Sequence, residues 1–284
     1  MKGLHFVEDL EDLCEGESGD LGGKYALIHL DGNHFGKIQQ DCGEPKDLEA
    51  WDRFIQDKRR AALTAMLTRI KARPEWLNGT NVRLETLLWG GDETIWVVPA
   101  RCGWAFLETW FSLCRDWEFP RGNRLTHAAG MVFCHEKAPI HRVRALAIDL
   151  TDASKKISRE QNLVSYLVLE SFDQVGRDVE KYRDSIAKNF GGAKTLKVNA
   201  NEMARIRQLF DALRKRQFPR SKIADIARAI ADQDASEETR LREGLEPLPS
   251  EFTQLESLLG GSKAVWLHLA ELWDYVTRSQ EIEA

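Results

Sequence analysis

The chain has few cysteines and no long apolar run, and each shortage argues against a class of protein. Its five cysteines form no C-x-x-C pair, a scattered odd set that is typical of a reducing compartment rather than of a disulfide-stapled domain. Cys134 and His135 are adjacent, and because neighbours on a strand face opposite sides, we do not expect them to share a zinc ion. No apolar stretch approaches the roughly 20 residues that cross a bilayer. Residues 1–20 lack the basic start of a secretory signal, so we expect a cytoplasmic protein with no membrane partner.

What the chain does have is the composition of a packed globular protein. It has 284 residues, of which 43% are hydrophobic and 30% charged, with a formal net charge of −5. A protein that coats nucleic acid over its whole surface is usually basic, so this charge disfavours that class. A basic strip late in the chain is interpreted as a solvated helix face, and contact with RNA phosphates is left open as an alternative. It consists of Arg205, Arg207, Arg214, Lys215, Arg216, Arg220, Lys222 and Arg228.

The first part of the chain alternates strand-like and helix-like segments. Apolar spacing of three and four residues predicts helices over 48–71, 103–117 and 139–156. Short β-branched and apolar runs predict strands over 24–30, 82–89, 94–100, 124–136 and 162–170, the second and third joined by a hairpin turn. Such interleaving predicts an α+β fold with helices on one face of a sheet, and a ferredoxin-like palm fits this order.

After about residue 175 the pattern becomes helical. Helices are predicted over 199–217, 219–233 and 251–280, with a proline-containing break at 246–250. We therefore expect two domains, a palm over 1–175 and a helical C-terminal subdomain over 176–284.

Two acidic residues follow strand-like runs beside glycine, and they are the strongest candidates for chemistry. Asp31 ends one run and Asp92 lies in the Gly90-Gly91-Asp92-Glu93 connection. Each segment alone is an ordinary turn, but two of them on neighbouring strands would bring the carboxylates together. Two carboxylates that lie so near each other repel and need a counter-cation. Mg²⁺ or Mn²⁺ fits this role, because these ions bind oxygen ligands and substrate phosphates. The glycines would permit a tight turn and close approach of a nucleotide.

Several segments together resemble the palm domain of the type III CRISPR polymerase large subunit, a relative of GGDEF nucleotidyl cyclases. The likeness covers roughly residues 24–235, and the small size is similar to the minimal CRISPR polymerases. The segments are LDGNHFGK (30–37), WGGDETIWV (89–97), HAAGMVFCHEKAPIHRVRALAIDLTDASKK (127–156), NLVSYLVLES (162–171) and LFDALRKRQFPRSKIADIARAI (209–230).

The resemblance implies a catalytic role for three acidic residues. Asp31 and Asp92 would bind the metal, with the Gly32 carbonyl as a further ligand. Glu93 would bind metal or deprotonate the attacking hydroxyl. Lys155 would bind the triphosphate, and Lys156 is the alternative should the alignment slip by one residue.

The resemblance also implies contacts with the nucleotide. Phe35, Gly36 and Lys37 would stand where a loop enters a helix and free N–H groups hold phosphate. Further expected contacts are Asn33, His34, Gln39, Gly90 and Gly91. Asn33 stands where the GGDEF pattern has aspartate, so this site has one carboxylate fewer. Gln39 falls near a guanine-reading asparagine, and an amide suits either purine.

Two hypotheses about function follow. The first is a nucleotidyltransferase that makes a cyclic dinucleotide or oligonucleotide from ATP, or from GTP, in antiviral signalling, with a homodimer as one way to close the ring. The second is a catalytically silent nucleotide-binding or scaffold subunit of an RNA-guided complex. RNA and an effector protein are left open as partners, and an unrelated α+β protein with coincidental turns is a third interpretation.

Overall fold

The computed structural model describes residues 4–17, 19–119, 123–170, 175 and 178–276. The strands are β1 (His5–Phe6), β2 (Lys24–Gly32), β3 (Leu77–Asn78), β4 (Asn81–Val82), β5 (Glu85–Trp89), β6 (Thr94–Pro99), β7 (Glu118–Phe119), β8 (Asn123–Arg124), β9 (His127–His135), β10 (Leu163–Val168) and β11 (Lys197–Asn199). The helices are α1 (Leu10–Cys14), α2 (Phe35–Gln40), α3 (Pro45–Ile70), α4 (Ala100–Cys114), α5 (Ile140–Ile157), α6 (Val179–Ala187), α7 (Met203–Lys215), α8 (Arg220–Ala231), α9 (Ala235–Glu243), α10 (Ser250–Leu258) and α11 (Ala264–Leu272).

A six-stranded mixed sheet forms the centre of the molecule, in the order β11-β10-β9-β2-β6-β5. Strand β2 runs antiparallel to both of its neighbours, β6 and β9, while β9 and β10 are parallel. Nearly every side chain of β2 is buried, because apolar residues cover both of its faces. The sheet therefore holds Asp31, at the end of β2, in its interior rather than at an edge.

Helices pack against both faces of this sheet. On one face, α4 lies so close that a Cβ on Gly103 would come within 2.6 Å of the Ala26 side chain. On the other face, α5 lies against β9, and a Cβ on Gly130 would come within 2.0 Å of the Ala147 carbonyl oxygen. The predicted α+β class is confirmed, and the structure differs from the expectation in placing α5 opposite α4. The reason is that alternate residues of β2 belong to two separate apolar clusters.

The predicted hairpin is present, with a shorter first strand. Residues 85–89 and 94–99 pair as β5 and β6, with an irregularity in register between Thr86 and Leu88. Residue 82 belongs instead to β4, which pairs with β1 and β3 in a small separate sheet. Helices α3, α4 and α5 occupy the segments predicted for them, with shifts of a few residues at their ends.

The C-terminal part is helical, as predicted, but it differs from the expectation in two details. The segment predicted as one helix over 251–280 is two helices, α10 and α11, separated where Gly260 and Gly261 have φ of 89° and 108°. Residues 277–280 lie outside the described residues. Strand β11 pairs antiparallel with β10, so the chain returns to the sheet before α7 begins. Among the described helices, none has the length and apolarity that a membrane crossing needs.

Candidate active site

The Gly90–Glu93 turn and the end of β2 lie side by side at one end of the sheet, and the surface between them is called the cleft below. Leu30 is the last residue of β2 that pairs with β6, opposite Thr94, so Asp31 directly follows this pair on β2 and Glu93 directly precedes it on β6. A hydrogen bond of 2.9 Å from Gly90 N to Glu93 O closes the turn. Burial, and then the negative charge of Asp31, raise the pKa of Asp92. The negative charge of Asp31 is therefore felt at Asp92, and their joint role in metal binding stays a prediction.

Lys155 supplies a positive charge to the same cleft. Its Nζ donates to Asp31 Oδ2 and, at 3.3 Å, to the carbonyl oxygen of Gly32. Lys155 is 9% exposed in its side chain, whereas Lys156, one residue later on α5, is 66% exposed and pairs with Glu180. Of the two lysines considered from the sequence, Lys155 is the one that faces the acidic pair.

His29 connects Glu93 to α5, a contact that the sequence reasoning missed. Its side chain is 3% exposed. The distance from His29 Nδ1 to Thr151 Oγ1 is 2.7 Å, and that from Nε2 to Glu93 Oε1 is 2.9 Å. A signal was present, because His29 lies two residues before Asp31 on a strand and Thr151 four residues before Lys155 on a helix, which places each pair on one face.

Arg59, on α3, holds the turn from behind and was also missed. Its guanidinium donates to Gly91 O and Thr94 Oγ1, and to Glu93 O at 3.3 Å. Its Cζ lies 4.2 Å from the centre of the Trp89 ring, a cation–π contact. Burial lowers the pKa of Arg59 to about 10, so the side chain stays charged at neutral pH. The shape of the turn thus depends on a buried arginine.

Two of the predicted nucleotide contacts face inward. Asn33 is 2% exposed, and its amide donates to Thr126 Oγ1 at 3.0 Å and Gln161 O at 3.4 Å. Phe35 packs edge-on against Trp51 at 5.3 Å between ring centres. In this structure both side chains anchor the loop after β2 and are not accessible to a nucleotide.

The remaining residues of that loop lie at the surface. His34, with φ of 60°, stands at the start of α2, and its Nε2 lies 3.2 Å from Glu160 Oε1. Gly36, Lys37 and Gln39 are exposed. The first backbone hydrogen bond of α2 is donated by Ile38 N to His34 O. The N–H groups of the residues before Ile38 have no partner within the helix, and they are the ones predicted to bind phosphate. The nucleotide contacts of these residues stay predictions.

The fold itself does not require glycine at two positions beside the cleft. A Cβ added to Gly91 or to Gly36 would meet no atom within 4 Å, and neither residue has a positive φ. At Gly90 the nearest such contact is Glu93 O at 3.5 Å, an ordinary van der Waals distance. The turn therefore leaves open space next to Asp92, which a bound group can occupy.

The donors around this space suit a hard divalent cation. Asp31 and Asp92 offer carboxylate oxygens and Gly32 offers a carbonyl oxygen. The Lys155 ammonium group donates hydrogen bonds to two of these groups, Asp31 and Gly32. Within the described parts of the chain, no group of three or more His, Cys, Asp or Glu residues is arranged to hold a metal ion. A cation here would accordingly take its remaining ligands from phosphate and water, as Mg²⁺ commonly does.

Comparison with known proteins bears on the fold. No protein-family profile and no curated protein matches the chain. Csm1 from T. onnurineus is 17% identical with a TM-score of 0.60, and the match covers 96% of this chain and 40% of that one. The fold is Csm1-like. The Csm1–Csm4 cassette solved with cA4 gives 16% identity and a TM-score of 0.54 over 95% of this chain and 38% of that one. The cassette with one ATP gives 14% and 0.52, over 97% of this chain and 40% of that one.

The Csm1-like fold confirms, at the level of architecture, the resemblance to the type III CRISPR large subunit. The chain spans about two fifths of the length of these structures. A GGDEF domain from Caulobacter crescentus, solved with c-di-GMP, is 20% identical over 57% of this chain and 86% of that one, with a TM-score of 0.37. That score carries no conclusion about shared architecture.

The basic strip on the late helices is engaged with acidic partners. Arg207 forms two hydrogen bonds with Glu108, at 2.8 and 3.0 Å. Arg216 pairs with Glu251 at 3.0 Å, and Arg220 contacts Asp20 at 2.8 Å. These pairs favour the interpretation as a helix face with internal ion pairs over that of a phosphate-binding strip.

Proposed function

We propose that this protein is a cytoplasmic, metal-dependent nucleotidyltransferase that joins nucleoside triphosphates, ATP first, into a cyclic dinucleotide or oligonucleotide for CRISPR-like antiviral signalling. The observation that carries the proposal is that the charge of Asp31 acts on Asp92 while Lys155 donates a hydrogen bond to Asp31. The Csm1-like fold supports it, and structures of the Csm1–Csm4 cassette contain cA4 or ATP.

In the proposed reaction, a ribose hydroxyl oxygen of one nucleotide attacks the α-phosphorus of another. A new P–O bond forms, the bond from that phosphorus to pyrophosphate breaks, and the hydroxyl proton passes to Glu93. Asp31, Asp92 and the Gly32 carbonyl would hold Mg²⁺ or Mn²⁺, which supplies charge stabilisation at the phosphates and activates the attacking oxygen. Lys155 binds the triphosphate. Its ammonium group compensates for the repulsion between the negative triphosphate and the two carboxylates.

A second candidate is a catalytically silent nucleotide-binding subunit of an RNA-guided complex. The observation in its favour is Asn33, which stands where the GGDEF pattern has a carboxylate and whose side chain is buried and donates to Thr126 and Gln161. Against it stands the unfavourable proximity of Asp31 and Asp92. Carboxylates with raised pKa values cluster at functional sites, and a scaffold alone has no use for such a pair.

Incubation of the chain with ATP, GTP and their mixture, in Mg²⁺ or Mn²⁺, followed by mass spectrometry of the products, separates the two candidates. We expect a cyclic product and pyrophosphate from ATP. The analogues 2′-deoxy-ATP and 3′-deoxy-ATP then identify the attacking hydroxyl, since only one of them will block the product. Asp92→Asn should abolish turnover without loss of fold, because the substitution is nearly isosteric. Nucleotide binding without product from any mixture would favour the silent subunit.

A further inference from the structure

Two contacts stacked along β2 and α5 connect the sheet to the helix beneath the cleft. Lys155 reaches Asp31, and one helical turn earlier Thr151 reaches His29. His29 and Asp31 are two residues apart on the strand, so they lie on one face of the sheet. Thr151 and Lys155 are four residues apart on the helix, so they lie on one face of α5, and both contacts join these two faces. The outer contact belongs to the proposed nucleotide site, whereas the inner one is buried and touches Glu93 from below.

The arrangement of hydrogens in the inner contact can be worked out from its distances. An ionised Glu93 only accepts hydrogen bonds, so the 2.9 Å contact places a hydrogen on His29 Nε2. Thr151 Oγ1 lies 2.7 Å from His29 Nδ1 and 3.0 Å from Ala147 O. Whether the hydroxyl donates to Nδ1 or accepts from it, it fixes the plane of the imidazole, and Nε2–H points at Glu93.

Glu93 needs such a partner because it lies in a turn. Its side chain is 40% exposed, whereas that of His29 is 3% exposed. A glutamate in that setting has several open rotamers, and a proton acceptor must be held close to its target geometry for an efficient transfer. A hydrogen bond from a rigid, buried donor on the central strand removes this freedom for Oε1 and leaves Oε2 to meet the substrate.

We propose that His29, oriented by Thr151, is a positioning residue that fixes the Glu93 carboxylate for its role in nucleotidyl transfer. The proposal rests on the function proposed above. The proposal also gives a role to Thr151, which does not reach the cleft and acts by orienting His29.

Paired variants separate positioning from packing. In His29→Gln the amide nitrogen falls near the place of Nε2, whereas in His29→Asn it falls near that of Nδ1 and cannot reach Glu93. We expect His29→Asn to lower kcat roughly tenfold to hundredfold, the range for partners that orient a reacting group. The KM for ATP should change little, and His29→Gln should recover most of kcat. Thr151→Val should lower kcat in the same way, and Thr151→Ser should not. Equal kcat in His29→Asn and His29→Gln would overturn the proposal.

A stability cycle tests the contact independently of turnover. Urea unfolding of the wild type, His29→Asn, Glu93→Gln and the double variant measures the coupling between the two side chains. We expect the two single effects on the unfolding equilibrium constant to combine non-additively, by roughly two- to tenfold. If the wild type makes no product from any nucleotide, the proposed function fails, while the cycle still reports on the contact. Additive effects would overturn the proposed positioning whatever the activity.

Discussion

The negative charge of Asp31 opposes the ionisation of Asp92 across the cleft. Burial and then the charge of Asp31 raise the pKa of Asp92, while Lys155 and Arg59 act in the opposite direction. The two cationic side chains thus only partly offset a cost that the fold carries at neutral pH. A residual cost of this kind is expected where a site is built for a ligand rather than for stability.

We expect a divalent cation to stabilise the protein through this pair. A ligand that binds only the folded state raises the free energy of unfolding in proportion to the logarithm of its concentration. Addition of Mg²⁺ or Mn²⁺ should therefore raise the melting temperature of the wild type and leave that of Asp92→Asn nearly unchanged. Differential scanning fluorimetry with a cation titration measures the difference, and equal shifts in both proteins would argue against a cation at Asp92.

Lys155 and Lys156 form a matched pair for testing the triphosphate contact. Lys155→Met removes a charged donor from the cleft, and we expect the KM for ATP to rise roughly tenfold or more, the value of a charge-assisted hydrogen bond. Lys156→Met removes only an exposed ion pair with Glu180, which solvent screens, so we expect the KM for ATP to stay close to that of the wild type. Steady-state kinetics of both variants decide the matter. Similar KM values in the two would contradict the assignment of Lys155.

Arg59 should matter for both stability and activity. Arg59→Met leaves the oxygens of Gly91, Glu93 and Thr94 without their donor, and we expect a loss of about 1–3 kcal/mol in the free energy of unfolding. Turnover should fall as well, because the turn then loses its fixed shape. Arg60→Met, at the exposed neighbouring position, is the control for urea unfolding and kinetics. A stable, fully active Arg59→Met would show that the turn holds its shape without the arginine.

Glu271, on α11, gives the fold a pH dependence distant from the cleft. Burial, and then the charge of Glu170, raise its pKa to about 7 from the ordinary value of 4.5. An acid with a raised pKa in the folded state adds stability below its unfolded pKa, and this contribution is lost as the pH rises through the folded pKa. Glu271→Gln should thus gain about 1–3 kcal/mol relative to the wild type between pH 4.5 and 8.

Urea unfolding across that pH range tests the prediction for Glu271. Glu243→Gln, at an exposed position on α9, should follow the wild type at every pH. A constant difference between Glu271→Gln and the wild type over the whole range would show that Glu271 does not titrate there.

The part of the site that the sequence predicted consists of residues at the ends of local elements. Asp31 is the penultimate residue of a nine-residue strand and Asp92 lies in a hairpin turn, and both signals are contained in short segments. Lys155 was assigned from the family resemblance, with Lys156 as the alternative. The two strands that carry these motifs are neighbours in the sheet, as the sequence analysis expected.

The part that the sequence did not reveal depends on contacts between distant segments. Arg59 reaches the turn from a helix more than thirty residues earlier, and His29 meets Thr151 across 122 positions. Both residues occupy positions that also suit a solvated or core side chain, so composition alone gives no hint of their partners. Strand β11, with three residues, is too short for periodicity to reveal, and pairing with β10 defines it.

Helix α5 approaches β9 closely at Gly130, where the strand has no side chain. In Gly130→Ala the new Cβ would come within 2.0 Å of Ala147 O and 2.8 Å of the Leu150 side chain, so α5 must move outward. We expect a loss of about 1–3 kcal/mol in the free energy of unfolding, the usual cost of overpacking. Turnover should fall further than stability alone explains, because the same helix carries Thr151 and Lys155 to their partners on β2. Gly43→Ala, at a position where a Cβ meets no atom within 4 Å, is the matched control. Urea unfolding and kinetics on the three proteins measure both effects, and full activity in a folded Gly130→Ala would show that the cleft tolerates a displaced α5.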